Sequence, residues 1–146
     1  PGFSGLDAAT KGLLSQLSAA FNAALLGGLA GTPVQVIDTR ALFVDLVANP
    51  AKYGMTNVTG TACDPAKIAA VTGNRVTDGS SLFCNAAPAS AFTAPLPILN
   101  TIKAAVANTN TWAFADGVHP TTAGHKVIAD YVISQIKAFG WMAANQ

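Results

Sequence analysis

Leu13, Leu17, Phe21 and Leu25 recur at every fourth position, with Leu14 beside them. Apolar residues at that spacing line one side of an α-helix, so the pattern predicts a helix over 8–27. Asp7 precedes it as a natural N-cap, and Gly27-Gly28 followed by Gly31-Thr32-Pro33 ends it. Val34-Gln35-Val36-Ile37 comes next, an apolar β-branched run that reads as a buried strand. Asp38-Thr39 opens a second helix with Ala41, Leu42, Leu46 and Val47 on one side, interrupted at Asn49-Pro50. Helix, strand and helix joined by short connections argue for α/β layering around a parallel sheet.

Further along, residues 55–95 show no sustained periodicity. Asp64-Pro65 starts one short helix through Ile68 and Val71, and the rest reads as a long loop held by the cysteines, either the rim of a binding cleft or a surface excursion stapled for stability. A third helix is expected over Ile98–Ala107, with Ile98, Ile102 and Val106 on one face. Trp112-Ala113-Phe114 reads as a short strand and Asp116-Gly117 as the turn after it. A last helix begins near Pro120-Thr121-Thr122, buries Ile128, Tyr131, Val132, Ile136 and Phe139, and stops at Gly140. There is no internal repeat and no linker, so residues 1–146 read as one domain or part of one.

Composition closes off several functions. Hydrophobic residues make up 51% of the chain and charged residues only 10%, which excludes intrinsic disorder. The eight basic residues are scattered and the net charge is +1. No basic stripe follows a phosphate backbone, so no nucleic-acid partner is expected. All seven acidic residues are Asp, which rules out the Glu-dependent zinc and calcium motifs. Leu13 to Ala30 carries Ser15, Gln16, Ser18, Asn22 and two glycines; on the sequence it is too polar and too short for a membrane span. No secretory signal is visible, and the start at Pro1 suggests a processed or nicked chain. Asn57-Val58-Thr59 is a formal glycosylation sequon, without consequence in a bacterial protein.

Cys63 and Cys84 lie 21 residues apart in a segment rich in small and polar residues. They form a disulfide, two free thiols or a metal pair. A metal site needs further ligands and neither His lies close in sequence, so the disulfide is favoured. It implies an oxidising compartment: periplasm, cell surface or medium.

The stretch that carries chemistry is Phe114-Ala115-Asp116-Gly117-Val118-His119-Pro120-Thr121-Thr122-Ala123-Gly124-His125. His119 and His125 are the two histidines, so proton chemistry near neutral pH is expected to run through one of them. A carboxylate and an imidazole three residues apart, in a turn after a strand, can meet through Nδ1–H. That contact orients the ring and leaves Nε2 to take a proton from a hydroxyl nucleophile. His125 is assigned to packing or capping. A metal site of His119, His125 and Asp116 is disfavoured, because a separation of six residues puts the two imidazoles on different faces of a helix. Trp112, Phe114 and Val118 either line an acyl pocket or pack the core. Phe83, Phe92 and Leu96 are candidates to cover a cleft.

Asp116-Gly117-Val118-His119-Pro120-Thr121-Thr122-Ala123-Gly124-His125 resembles the closing block of the GDSL or SGNH hydrolases, in their secreted bacterial branch of lipases, esterases and lecithinase-like enzymes. Val36-Ile37-Asp38, Asn49-Pro50-Ala51-Lys52-Tyr53-Gly54, Cys63 and Leu82-Phe83-Cys84 extend the likeness over most of the chain. The resemblance implies a three-layer α/β/α sandwich with about five parallel strands and carboxylic-ester hydrolysis without metal or cofactor. Asp116 and His119 would be two members of a Ser-His-Asp triad.

The family's first three blocks, which carry the nucleophilic Ser and the Gly and Asn oxyanion donors, do not occur in these 146 residues. The chain therefore reads as a C-terminal half. Its expected partners are the N-terminal half, as a nicked companion chain, and an ester substrate. Truncation is the other account of the gap. An inactive hydrolase-like binding module and a carbohydrate esterase are the rival functions, and membrane association stays open.

Overall fold

Each α-helix begins at a side chain that accepts from its own first turn. In the computed structural model of the chain, which describes residues 6–84, 101–103 and 109–142, Asp7 accepts from Thr10 N–H and opens α1 (Ala8–Leu29). Asp38 accepts from Ala41 N–H at α2 (Thr39–Ala48). Asp64 accepts from Ala66 and Lys67 at α3 (Pro65–Val71), with Pro65 in the first turn. Thr121 caps α4 (Thr122–Ala138) through Gly124 N–H. Such caps satisfy amides that have no acceptor inside the helix.

After α2 the chain makes a 3-10 turn over Pro50–Tyr53 and leaves it through Gly54 at φ 68°, a left-handed conformation that glycine adopts without penalty. The Asn-Pro-Ala-Lys-Tyr segment gathers on one carboxylate. Asp45 accepts from Asn49 Nδ2 at 2.7 Å, from Lys52 Nζ and from Tyr53 Oη. Lys52, Tyr53 and Asn49, in that order, lower the Asp45 pKa to about 2.

Among the described residues the sheet has two strands, β1 (Asn57–Thr61) and β2 (Trp112–Phe114), paired in parallel. Asn57 lies opposite Trp112 and Thr61 opposite Phe114, so β1 takes more residues than β2 to cover the same length and bulges. The Asn57 side chain supports the bulge, accepting from Thr59 N–H at 3.1 Å and Gly60 N–H at 2.7 Å. Beyond the strands the pairing continues, with Ala62 N–H donating to Phe114 O and Cys63 N–H to Ala115 O at 2.9 Å.

Leu42 and Leu46 of α2, Met55, Val58 of β1, Ala113 of β2 and Val127 of α4 form the main core. Phe43 stacks on Phe114 with ring centroids 6.1 Å apart. Tyr131 Oη donates to Asp38 O, tying α4 to the start of α2. A smaller cluster places Trp112 and Cys84 around Ala62 and Ile102. Helices and a parallel strand pair together make a mixed fold compatible with α/β.

Several expectations need correction. Residues 34–37 form no strand, because an extended segment becomes one only beside a pairing neighbour, and none stands there among the described residues. A strand forms instead at 57–61, inside the expected loop. Residues 101–103 are extended rather than helical: Ile102 bridges Cys63 in antiparallel sense, and Lys103 N–H donates to Ala62 O. The remainder of the helix expected over 98–107 lies outside the described residues, as do Phe92 and Leu96. Val47 is exposed, and the expected α4 stripe is only half-buried, with Gly124 and Val127 innermost. Helix α1 has its expected place, but none of its residues is buried, and Leu13, Leu17 and Phe21 are more than half exposed. At 22 residues with Lys11 as its one charged side chain, α1 is long and apolar enough to cross a membrane by length and composition. That replaces the reading of this stretch as too short and too polar.

Candidate functional site

Strand β2 delivers the chain into a tight reversal. Ala115 N–H donates to His119 O at 2.9 Å, and Thr121 N–H donates to Ala113 O at 3.0 Å. Pro120, without an N–H, bridges Phe114 at the turn's return. The reversal therefore runs from the end of β2 to the N-cap of α4 with Asp116 and His119 inside it.

Two residues anchor this return against the sheet. The buried Thr121 hydroxyl donates to Trp112 O and accepts from Gly124 N–H at 3.0 Å. At Gly124 a Cβ would lie 2.3 Å from Ala113 O and 2.9 Å from Pro120 Cβ. Only glycine lets the first turn of α4 approach β2 this closely.

Asp116 is buried, at 5% exposure, and among the described residues the partners of its carboxylate are all N–H groups. Oδ1 accepts from Val118 N–H at 2.8 Å and His119 N–H at 2.7 Å. Oδ2 accepts from Ser81 N–H at 2.6 Å. His119 Nδ1 lies 3.0 Å from Oδ1 and 2.9 Å from Oδ2. Burial alone pushes the Asp116 pKa up. The amides of His119, Val118 and Ser81 and the imidazole outweigh it and hold the carboxyl well below the usual carboxylate range.

The His119 side chain is 62% exposed. Because the partner of Nδ1 is an ionised carboxylate, which only accepts, Nδ1 carries the hydrogen. Nε2 is then the basic nitrogen of the neutral ring. The pair thus presents an oriented imidazole whose outer edge can receive a proton, backed by an anion that stabilises the imidazolium once it forms.

Cys63 and Cys84 are joined in a disulfide, with Cα atoms 5.6 Å apart. Cys84 directly follows the 3-10 turn Ser81–Phe83. His125 is exposed in the first turn of α4 and its backbone N–H donates to Thr121 O. The expected packing role is not seen, and the capping is done by Thr121. Trp112 and Phe114 pack in the two clusters, whereas Val118 is 57% exposed on the reversal. Among the described residues no group of three or more His, Cys or Asp side chains converges to hold a metal ion.

The site has one contributor that side-chain patterns could not announce. Ser81 enters through its backbone N–H, 35 positions away in sequence from Asp116, and any residue but proline offers that group. Comparison with protein-family models, with curated proteins and with solved structures gave no match.

Proposed function

We propose that this chain supplies the His and Asp of a Ser-His-Asp triad in a carboxylic-ester hydrolase of the GDSL type. The observation that carries the reading is the Asp116–His119 pair: Nδ1 held by a buried carboxylate, with the ring otherwise largely exposed. The likeness of the closing sequence block to that family supports it. In this reading the serine and the oxyanion donors come from polypeptide outside these 146 residues, and the complete domain is a three-layer α/β/α sandwich. The disulfide, together with an apolar helix near the N-terminus, fits a secreted or cell-surface protein.

His119 Nε2 takes the serine proton as Oγ attacks the acyl carbonyl. The oxyanion donors stabilise the tetrahedral intermediate. The imidazolium, paired with Asp116, then protonates the leaving alkoxide, which departs as the alcohol and leaves an acyl-serine. Water repeats the sequence, giving its proton to His119, and the acid is released with serine restored. Asp116 keeps the ring oriented and stays ionised throughout.

The test is hydrolysis of a short-chain p-nitrophenyl ester by the complete protein. His119→Ala is expected to lower turnover roughly a thousandfold or more, and Asp116→Asn to lower it less. Undiminished turnover in His119→Ala would remove the assignment.

A further inference from the structure

Among the described residues, three of the four donors to Asp116 come from its own reversal: the amides of Val118 and His119, and the imidazole. The local amides both fall on Oδ1. Oδ2 is placed from outside, by Ser81 N–H at 2.6 Å, and Oδ2 makes the shorter contact to Nδ1.

Ser81 is itself tied back to the reversal by a closed circuit. Cys84 N–H donates to Ser81 O at 3.0 Å. The disulfide carries the chain from Cys84 to Cys63. Cys63 N–H donates to Ala115 O, the carbonyl adjoining Asp116. Thr101 Oγ1 donates to Phe83 O and pins the turn from its other side.

We propose that Ser81, acting through its backbone N–H, is a positioning residue for the Asp116–His119 pair, and that the Cys63–Cys84 disulfide is the clamp that keeps it on Oδ2. The inference rests on Asp116 being the orienting carboxylate of the proposed triad. Its test reads the carboxylate directly and needs no ester turnover, so either reading can fail without the other.

The backbone dihedrals permit removal of the donor, with the proline Cδ standing where the N–H now points at Oδ2, so that the carboxylate oxygen must also shift to clear it. Ser81 is the first residue of a 3-10 turn, and Ser80 before it has ψ 130°. Both conformations accept proline at position 81. Ser81→Pro therefore deletes the N–H and leaves the disulfide intact, while Ser81→Ala keeps the N–H and deletes only the hydroxyl.

The experiment is a carboxyl 13C NMR titration of Asp116 in the complete protein. Ser81→Pro is expected to raise the proton affinity of Asp116 about tenfold, because a hydrogen bond to the charged form is lost. Ser81→Ala should leave the titration unchanged. Cys63→Ala with Cys84→Ala should raise the affinity as Ser81→Pro does, and combining them with Ser81→Pro should add little further, as expected for changes acting through one contact. Identical titrations for Ser81→Pro and Ser81→Ala would overturn the proposal, with the disulfide intact in both. Effects of the proline and cysteine changes that simply add would overturn the clamp.

Discussion

Asp116 is under opposing pressures at the scale of single atoms. Burial favours its neutral form, and its ring of N–H donors favours the anion; the donors prevail. A carboxyl whose folded pKa is depressed stabilises the fold most above its unfolded value, near about 4, and loses that contribution as pH falls toward the folded value. The urea midpoint of the complete protein should therefore fall on acidification below about pH 4. Asp116→Asn should be less stable at pH 7 by roughly 2–4 kcal/mol and less sensitive to acid over that interval. Equal acid sensitivity in the two proteins would count against the hydrogen-bond pattern described. The Asp116–His119 contact was legible in sequence because three residues of turn bring the side chains together. Ser81 was not, because a backbone donor has no residue signature, and His125 neither packs nor caps because it lies on the outer face of α4's first turn.

At the scale of elements, legibility followed the range of the forces involved. Asp7, Asp38 and Asp64 and the Asn49-Pro50 interruption mark helix ends by local hydrogen bonding and proline geometry, and they stand where expected. Strand identity depends on a neighbour. Val34-Gln35-Val36-Ile37 has the stronger strand composition, yet Asn57–Thr61, with an Asn and a Gly, is the segment that pairs with β2. Its bulge and the Asn57 side chain mask the alternation that would have revealed it. The junction between β2 and α4 leaves no room for a Cβ at Gly124. Gly124→Ala should push α4 off Ala113 O and lower stability by about 1–3 kcal/mol, seen as a lower melting temperature. Thr121→Val loses the cap on Gly124 N–H and the hydroxyl's bond to Trp112 O; it should cost about 1–2 kcal/mol. A melting temperature unchanged in both variants would argue against the close approach.

At the scale of the whole molecule, the core is small and one-sided. Leu42, Leu46, Val58, Ala113 and Val127 are buried together, while α1 leaves Leu13, Leu17, Phe21, Leu25 and Leu26 in solvent. A two-stranded sheet offers little independent stability, and an apolar surface of this extent favours association. The 146-residue chain purified by itself is expected to sediment as oligomers or aggregates; a monomer with one cooperative unfolding transition would contradict the proposal that it works with a companion polypeptide. The mixed helix and strand character was legible in the helical periodicities and in the Trp112-Ala113-Phe114 run, although the strand expected at 34–37 did not form. Layering depends on which surfaces meet, which local patterns do not record. The most direct test of the triad is the rate at which a fluorophosphonate labels the complete protein. A covalent adduct on a serine outside these 146 residues, formed roughly a thousandfold more slowly in His119→Ala, is expected; no serine adduct, or one formed at the same rate without His119, would contradict it.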